Sequence, residues 1–447
     1  MNKVTISDVI DRIGVSKYTF SVYLLVGLVV LFSGIVYMVV PYTMSQIALE
    51  WQLSKIQTGA LSSWSLLGLM FGGMLAGILS DRIGRKKILI FSCLVYSLFT
   101  LPIYWVQSYE AFAVFRILGG VGIGAVIPVG VTMMSENVPT KNRGFFSASI
   151  MSFYMLGWVL AGVLCTYAVS DFGWRLCFLL AGLSVFYSLV LMARLNESPH
   201  WLLSRGREAD AIKVIKKMEK TIEGAAGEWT PGCLVTPPPP KTVGMSAIFS
   251  ADYRRITISF WITYFMGSVV IYGISGWLPT LLVEKGFGLT KGYFFAVLQN
   301  FAGIVGALAT GYVADIIGRK KNVVTAWLFA AVMVILLGYV TSQWQIVIFS
   351  VLSGLAINWG LTGVQPILAE AYRTEFRNTG VAWAQAFGRI GGFSGPIAAG
   401  YLQQLGIGYT GTFIFLAIPA VVFSIIAFFF FSETKGKSIE SIAGAEA

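Results

Sequence analysis

Two short charged segments carry residues whose types and spacing suit ion pairs that form and break. Asp81-Arg-Ile-Gly-Arg-Lys-Lys87 returns as Asp315-Ile-Ile-Gly-Arg-Lys-Lys321, which is 315 minus 81, or 234, positions later. The same offset relates two further pairs of charges: Glu136 to Glu370 and Arg143 to Arg377. Two patterns that share one offset indicate a duplicated unit. Because carboxylates pair with nearby guanidinium groups, these residues can form ion pairs that hold two similar halves together, and breaking the pairs lets another state form.

Arg389 is the most informative single residue. It lies in an apolar stretch, 378–402, where a helix would place it 389 minus 378, or 11, residues from the start, at a depth of roughly 16 Å. An arginine at that depth in a membrane costs at least ~2.5 kcal/mol unless it faces a watery cavity or a counter-charge. We therefore expect Arg389 to clamp a carboxylate or another anion in a central cavity. The alternative is a structural arginine that bonds backbone carbonyls.

The composition indicates which elements must position these residues. The chain has 447 residues, 56% hydrophobic and 12% charged, against roughly 25% charged in a soluble domain. It is therefore predicted to be an all-α integral membrane protein. Apolar stretches of about 20 residues, enough to cross a ~30 Å hydrocarbon core, occur twelve times. They are 19–45, 56–80, 86–106, 109–135, 144–169, 174–195, 255–283, 291–314, 321–341, 344–369, 378–402 and 409–431.

The distribution of the 32 Lys and Arg residues predicts the orientation of these helices. Four lie in the odd-numbered loops and two inside helices, which leaves 32 minus 4 minus 2, or 26, in the termini and the even-numbered loops. Such an excess in short loops predicts cytoplasmic termini and a multi-pass protein of the inner, or plasma, membrane. The net charge of +11 then marks a face in contact with anionic lipid head groups, and nucleic acid is not an expected partner.

The twelve stretches divide into two bundles of six helices, joined by a polar segment. The predicted parts are an N-terminal bundle over 1–196, a cytoplasmic loop over 197–252, a C-terminal bundle over 253–434 and a cytoplasmic tail over 435–447. In the loop, apolar residues at helical spacing between 209 and 222 predict a helix on the inner membrane surface. Four prolines at 237–240 predict an extended spacer. The first eighteen residues lack the pattern of a cleaved signal peptide.

No residue pattern predicts a metal, cofactor or catalytic site. The four cysteines lack metal-ligand spacing, and three of them lie inside predicted helices, so they are predicted to be small packing residues. His200 is the only histidine. No nucleophile, base and orienting group are arranged for catalysis, and the glycine-rich segments lie within apolar spans, where they favour close helix packing over phosphate binding. We therefore expect neither an enzyme nor a cofactor.

Several of these motifs carry a family resemblance. The segments that resemble loop and helix signatures of the major facilitator superfamily are 77–87, 116–124 and 311–321. Those that resemble its sugar-porter branch and relatives are 136–144, 197–202 and 433–436. Two further segments, 277–282 and 388–396, look closest to the aromatic acid and proton symporters. The resemblance implies two pseudo-symmetric six-helix bundles that work by alternating access.

The same resemblance implies roles for the charged residues. The implied gate or coupling residues are Asp81, Arg85, Arg116, Glu136, Arg143, Asp315, Arg319, Glu370 and Arg377. For Arg116, about seven residues into helix 4, structural support is favoured slightly over coupling. The symporters carry acids in the middle of helix 1, where this chain has Ser33 and Val36. The usual proton site is therefore missing, which leaves proton symport, anion exchange and facilitated diffusion open.

The rest of the substrate site is predicted from aromatic and amide side chains near the middle of helices. They are Tyr37, Trp64, Tyr154, Trp158, Tyr272, Trp277, Trp359 and Trp383, with Asn300, Asn358 and Gln385. Such a pocket suits a small ring-bearing molecule. The predicted function is transport, by a monomer, of a small organic anion such as an aromatic or compact monocarboxylate. The alternatives are a neutral sugar or polyol carrier, a carrier of zwitterions or quaternary amines, and a membrane sensor that binds without flux.

Overall fold

The computed structural model describes residues 4–221, 229, 232–235, 248–373 and 376–433, and the chain is mostly helical. The predicted spacer at 237–240 and the tail at 435–447 lie outside the described residues. The first half contains α1 Ile6–Ile13, α2 Lys17–Glu50, α3 Lys55–Ile83, α4 Arg85–Leu98, α5 Tyr109–Ser135, α6 Arg143–Phe172, α7 Trp174–Gly182, α8 Tyr187–Arg194, α9 Pro199–Ser204 and α10 Glu208–Glu219. The second half contains α11 Arg254–Glu284, α12 Leu289–Ile317, α13 Arg319–Gly338, α14 Gln343–Glu370, α15 Arg377–Gln404 and α16 Gly408–Phe430.

The predicted duplication is visible in where the helices begin. Helices α3 to α7 begin at 55, 85, 109, 143 and 174, and helices α12 to α16 begin at 289, 319, 343, 377 and 408. Each difference is 234, for example 289 minus 55, which is the offset found in the sequence. Local signals also repeat, because Ser108 and Ser342 both cap a helix through their hydroxyls. Gly84 and Gly318 both have a positive φ, 105° and 94°, between two helices.

Helix packing follows the same duplication. In the first half α2 packs on α6, and α5 packs on α3 and α4. In the second half α11 packs on α15, and α14 packs on α12 and α13. The two halves meet where α3 packs on α15, α6 on α12 and α2 on α11. These contacts bring α2, α3 and α6 of the first half against α11, α12 and α15 of the second.

Eleven helical segments of the described residues are long and apolar enough to cross a membrane. One of them, Arg85–Trp105, ends in a 3-10 turn, Leu101–Trp105, and another, Trp174–Arg194, is interrupted by one, Leu183–Phe186. The first turn contains Pro102, which has no N–H to continue an α-helix. The predicted span 378–402 lies in α15, which has 28 residues but is not among the eleven. A helix therefore exists at every predicted span, while the number of twelve crossings stays a prediction.

One face of the first half is covered by short elements from the N-terminus and the central loop. The strands β1 Val4–Thr5 and β2 Leu234–Val235 pair in parallel, and Arg12 of α1 donates to Glu219 of α10 at 2.7 Å. Hydrogen bonds from Thr140 lower the pKa of the Asp11 carboxyl. Helix α10 forms where the sequence predicted a helix on the membrane surface. Its apolar side is buried and packs on α1 and α9. Residues 81–87 and 315–321 lie on the same face of the protein as these elements. We call it the basic face, and we call the face at the other end of the helices the opposite face.

Candidate functional site

Four aromatic side chains meet where the two halves face each other. Tyr37 of α2 and Tyr154 and Trp158 of α6 come from the first half, and Tyr272 of α11 comes from the second. The ring centroid of Tyr37 lies 5.8 Å from those of both Trp158 and Tyr272, and 6.5 Å from that of Tyr154. All four residues are buried. The sequence predicted each of them as a site residue, and the structure brings them together; we call them the aromatic cluster.

Arg389 lies beside the aromatic cluster on α15, 389 minus 377, or 12, residues after the helix begins. Its Nη1 donates to the Tyr272 hydroxyl at 3.0 Å. The side chain is only partly buried, and the described residues provide it with no ion pair and no second hydrogen bond. A guanidinium carries five N–H donors in a planar fork, so most of its hydrogen-bonding capacity is left for water or a ligand. This arrangement suits a carboxylate ligand.

Two polar atoms within the aromatic cluster also lack partners. The Tyr154 hydroxyl and the Trp158 indole N–H are buried and make no hydrogen bond with the described residues. The centroids of the two rings lie 5.6 Å apart. A buried polar group without a partner costs about 1–3 kcal/mol, which a ligand atom that reached it would recover. Tyr154 and Trp158 are therefore candidate contacts for a polar substituent on a bound ring.

Arg116 has a different environment from Arg389. It is 1% exposed, and its Nε donates to Ser65 Oγ at 2.9 Å while its Nη2 donates to the Val36 carbonyl oxygen at 3.0 Å. Its guanidinium also lies 5.9 Å from the centroid of the Phe178 ring. These contacts join α5 to α3 and α2 within one half. They fit the structural role favoured from the sequence, because the buried guanidinium bonds two other helices of the same half.

Two predicted site residues lie at the interface but bind other protein groups. Trp64 donates through Nε1 to the Tyr109 hydroxyl at 3.0 Å, and its ring lies 6.2 Å from that of Phe393. Asn300 of α12 donates through Nδ2 to the hydroxyl of Tyr42 on α2 at 3.2 Å. The second bond joins the two halves directly. The structure thus places Asn300 in the interface between the halves, and it places neither residue in the aromatic cluster.

Three further predicted residues donate hydrogen bonds to groups of the second half. Trp277 is fully buried and donates to the Pro396 carbonyl oxygen at 2.8 Å. Trp359 donates to Asn322 Oδ1 at 2.7 Å, and Asn358 donates to a carbonyl of its own helix at 3.1 Å. Their polar atoms stabilise helix packing. The sequence missed this because a helix that is apolar on all sides does not reveal which face a mid-helix residue occupies.

Gln385 and Trp383 lie on α15 before Arg389. Gln385 is exposed and lies one turn, or four residues, from Arg389 on the same side of the helix. Trp383 is partly buried, and its ring lies 6.0 Å from that of Trp261. Gln385 is therefore placed to line the approach to Arg389 from the basic face, whereas Trp383 packs on α11.

The charged residues of the first segment pair within the first half. Arg85 forms two hydrogen bonds with the Glu136 carboxylate, at 3.0 and 3.1 Å, and an ion pair with Asp81 at 2.9 Å. Burial raises the pKa of the Glu136 carboxyl, and the charge of Arg85 opposes that shift. Nearby, burial and the charges of Arg143 and Arg85 lower the pKa of His200 to about 4. These contacts join the ends of α3, α4 and α5.

The second segment has a corresponding ion pair within the second half. Arg319, at the start of α13, pairs with Glu370 at the end of α14. Arg377 donates through Nε to the carbonyl oxygen of Tyr372 at 3.4 Å, and Asp315 is exposed. Asp81, Glu136 and Glu370 thus each pair with an arginine of their own half in this structure.

Two glutamates that follow the last helix of each half cap other helices: Glu197 caps α4 and Glu433 caps α13. Glu197 accepts a hydrogen bond from the backbone N–H of Lys86 at 3.0 Å, and Glu433 accepts from those of Arg319 and Lys320 at 2.9 and 3.2 Å. A carboxylate at a helix N-terminus accepts hydrogen bonds from the free N–H groups and is attracted to the positive end of the helix dipole. The sequence had singled out both residues through their motifs, and their positions far from the aromatic cluster give them a role in helix capping.

Contacts that join the two halves lie toward the opposite face. Lys55, the first residue of α3, pairs with Glu284, the last residue of α11, at 2.6 Å. Ser63 donates through Oγ to the Phe393 carbonyl oxygen at 2.7 Å. Sequence reasoning assigned no role in the interface to these residues. The available signal was weak: Lys55 is one of the few basic residues on that side, and Glu284 is an acid at a helix end.

Glycines occur at both ends of this interface in different surroundings. Gly59 and Gly77 of α3, and likewise Gly162 and Gly144 of α6, are 18 residues apart, about five turns, so each pair shares a helix face. A Cβ added at Gly59 would lie 2.2 Å from the Pro396 carbonyl oxygen, and one at Gly162 would lie 2.3 Å from an α12 side chain. At Gly77 and Gly144 it would meet no atom of the described residues within 4 Å. The halves therefore touch at the opposite face and separate toward the basic face.

Two similar helical halves around a site that opens to one face define the class of membrane transporters with alternating access. Sequence comparison agrees with that class. The Major Facilitator Superfamily profile matches residues 26–309 and 294–446. The chain therefore belongs to the Major Facilitator Superfamily.

Curated relatives align over nearly the whole chain. The gallate transporter of Pseudomonas putida is 30% identical over 422 residues, covering 93% of each chain. The niacin transporter NiaP of Acinetobacter baylyi is 27% identical over 436 residues, covering 97% of this chain and 98% of the relative. The 4-hydroxybenzoate transporter PcaK of Acinetobacter baylyi is 29% identical over 417 residues, covering 92% and 91%.

Solved structures share the fold at lower identity. A partially occluded inward open conformation of the xylose transporter XylE from E. coli has a TM-score of 0.76 and 18% identity, covering 95% of this chain and 100% of the other. The inward open conformation of XylE has a TM-score of 0.73 and 18% identity, covering 96% and 100%. This likeness supports the two-bundle architecture and carries no information about the substrate.

Proposed function

We propose that this protein is a secondary transporter that carries a small aromatic carboxylate anion across the membrane. The observation that carries the proposal is Arg389, a partly buried guanidinium at mid-helix whose one protein partner among the described residues is the Tyr272 hydroxyl. A carboxylate matches its planar fork and neutralises its charge. The hydroxyl of Tyr272 holds the guanidinium toward the interface, where a ligand would touch both halves.

The aromatic cluster supports a ring as the body of the substrate. Its four rings come from both halves, and the centroids of neighbouring rings lie 5.6 to 6.5 Å apart. Offset or edge-on ring contacts are worth about 0.5–1.5 kcal/mol beyond burial. The named relatives transport gallate, niacin and 4-hydroxybenzoate, each of which carries a carboxyl group on an aromatic ring. We therefore assign the ring to the aromatic cluster and the carboxylate to Arg389.

The state of the interface supports alternating access. The halves touch near Gly59 and separate near Gly77, so the site is reached from the basic face. The positive-inside rule assigns the basic face to the cytoplasm and both termini with it. On that assignment the structure is an inward-facing state of a monomer in the inner membrane, and its charged face contacts anionic lipid.

Two alternatives are kept as outcomes of the experiment. A neutral sugar or polyol carrier was favoured by the motifs at Glu197 and Glu433, but these side chains cap α4 and α13 away from the site. A non-transporting sensor would bind the same ligand without flux. Proton symport, exchange and facilitated diffusion differ in what drives the flux.

The test is uptake of labelled 4-hydroxybenzoate by purified protein in vesicles, compared with its uncharged amide. We expect uptake of the acid, at least ~10-fold less uptake of the amide, and loss of acid uptake in Arg389→Ala. Arg194→Ala is the matched control, because Arg194 is an exposed arginine at the end of α8. Its uptake is expected to equal that of the wild type.

The outcomes separate the alternatives. Equal uptake of acid and amide, or full acid uptake by Arg389→Ala, would contradict an anion carrier. Tight binding of the acid with no flux in any vesicle would favour the sensor. Saturable uptake of a sugar that 4-hydroxybenzoate does not inhibit would favour the neutral carrier.

A further inference from the structure

We propose that this protein works as an obligatory anion exchanger, so that each crossing in either direction needs a bound carboxylate. The inference rests on the proposed function and adds its coupling mode. It follows from the positive charge that the closing cavity must enclose and from the positions of all acidic residues in the long helices.

Every acidic residue of the membrane-spanning helices lies at or within two residues of a helix end. These acids are Glu50, Asp81, Glu110, Asp171, Glu284, Asp315 and Glu370. The spans contain no histidine, because His200 is the only one in the chain. The middle of the molecule therefore offers no carboxylate or imidazole that could neutralise Arg389 or carry a proton beside it.

The groups that face Arg389 do not balance its charge. Tyr272 supplies a neutral hydroxyl, and Tyr37 lies next to it in the aromatic cluster. Tyr37 is within electrostatic reach of both Arg389 and Arg116, so the neighbouring charge is also positive. Arg116 is fully buried on its own protein partners. The site thus carries uncompensated positive charge that an anion from solution must meet.

The acid with a raised pKa at the basic face is too far away to act as the counter-charge. Glu136 follows the last residue of α5 at the basic face, whereas Arg389 lies 389 minus 377, or 12, residues into α15 from that face, which is roughly 18 Å at ~1.5 Å per residue. Its carboxylate is held by Arg85. His200 and Arg143 lie at the same end. These groups can affect the basic-face mouth, but not the charge balance around Arg389.

Closing the empty cavity would enclose a bare guanidinium. Inserting an arginine at a helix centre into a membrane is unfavourable by a factor of roughly 60 to 300. Closing around the bare guanidinium would lower the population of the closed empty carrier by about that factor. A bound carboxylate forms a neutral pair with Arg389, so the loaded carrier closes without that penalty. One anion moves inward and one moves outward per cycle, and no proton is taken up or released. The empty carrier should therefore return at least about 10-fold more slowly than the loaded one.

The test compares uptake of labelled 4-hydroxybenzoate by vesicles that contain unlabelled 4-hydroxybenzoate with uptake by vesicles that contain only buffer. Vesicles without protein measure passive entry. We expect initial uptake into preloaded vesicles to be at least ~10-fold faster, with less than a twofold change when the outside is acidified relative to the lumen. Equal rates in both vesicles, or accumulation driven by the pH gradient, would overturn the exchange mechanism while leaving the proposed substrate intact. Absence of uptake in both vesicles would overturn the proposed function itself.

A substitution on α2 tests the electrostatic cause. Ser33 is buried and lies four residues, about one turn, from Tyr37 on the same side of α2. Ser33→Asp would add a carboxylate one turn from Tyr37 of the aromatic cluster, and Ser33→Asn is the matched variant of similar size without charge. We expect Ser33→Asp to raise net uptake into buffer-filled vesicles at least ~5-fold over Ser33→Asn, and to make it respond to a pH gradient. Unchanged net uptake in a Ser33→Asp protein that elutes as a folded monomer would contradict the electrostatic cause.

Discussion

The two ends of the interface between the halves use different contacts. At the opposite face the halves are joined by Lys55 with Glu284, by Ser63 with the Phe393 carbonyl oxygen, and by glycine backbones packed against the partner helix. At the basic face the charged groups pair inside their own half, as Arg85 does with Glu136, and the interface glycines face open space.

The difference shows how a duplicated protein can be sealed at one end and open at the other. Each contact across the opposite face is small: a part-exposed ion pair is worth about 0–1 kcal/mol and a hydrogen bond about 0.5–1.5 kcal/mol. The seal is therefore a sum of weak contacts that a modest free energy can break. The stronger, largely buried ion pairs stabilise each half as a rigid body, which is the part that must not change during the cycle.

The largest effect is expected at Arg85, whose loss would leave the largely buried Glu136 carboxylate without its cation. Breaking such a pair should lower the free energy of unfolding by about 3 kcal/mol. Because the pair lies within one half, Arg85→Ala should destabilise the protein without opening the opposite face. Thermal unfolding in detergent measures the first effect, and exposed Arg82→Ala is the control. If the opposite face became more accessible in Arg85→Ala, the claim that ion pairs at the basic face act only within one half would be contradicted.

The next effect is expected at Gly59, where added carbon meets the Pro396 carbonyl oxygen. Overpacking there should cost about 2 kcal/mol, so Gly59→Val is expected to expose the opposite face about 30-fold more often. A single reporter, Ser63→Cys in a background without the four native cysteines, would measure this as its rate of maleimide labelling. Gly77→Val, on the same helix face in open space, should leave that rate unchanged. Equal labelling in both variants would contradict the asymmetry of the interface.

A smaller effect is expected from the hydrogen bond between Tyr42 and Asn300. Tyr42→Phe removes only the hydroxyl that accepts from Asn300 across the halves. The loss should be about 1 kcal/mol, which corresponds to roughly fivefold faster labelling of the Ser63→Cys reporter. Tyr96→Phe is a matched control, since that buried hydroxyl bonds the Val29 carbonyl oxygen within the first half. A response of the reporter to Tyr96→Phe as large as its response to Tyr42→Phe would argue against a specific seal.

The smallest effect is expected at the ion pair of Lys55 and Glu284, whose side chains are about 40% exposed. Glu284→Gln should change labelling of the reporter less than threefold, because solvent screens the pair. Labelling at low and at 1 M salt checks the cause: the difference between Glu284→Gln and the wild type should disappear at high salt. A difference that persists in salt would show that the contact is more than a screened ion pair.

The fold was largely predictable because its signals are local and repeated. The offset of 234 set by Asp81 and Asp315 recurs in the starts of five helix pairs, and Gly84 and Gly318 mark the same break in both halves. The 3-10 turns were not predicted, because apolar composition alone does not report helix geometry. The partners of the gate charges were left open, because sequence spacing cannot choose between an arginine of the same half and one of the other.

The candidate site was predictable only in part. Depth along a helix identified Arg389 and the aromatic cluster, because a charge in an apolar span has few satisfactory positions. The same reasoning also selected Trp277 and Trp359, whose indoles bond Pro396 and Asn322 in helix packing. Buried indoles and ligand-binding indoles have the same sequence environment in helices that are apolar on all sides, so only the packing separates them.

The central claim, that Arg389 binds a carboxylate, is tested most directly by titration calorimetry of the purified protein with 4-hydroxybenzoate and with 4-hydroxybenzamide. The account predicts that the wild type and Arg194→Gln bind the acid at least ~10-fold more tightly than the amide, since charge-assisted hydrogen bonds contribute about 1.5–3 kcal/mol. In Arg389→Gln that preference should vanish. An Arg389→Gln protein that still prefers the acid as strongly as the wild type would contradict the claim.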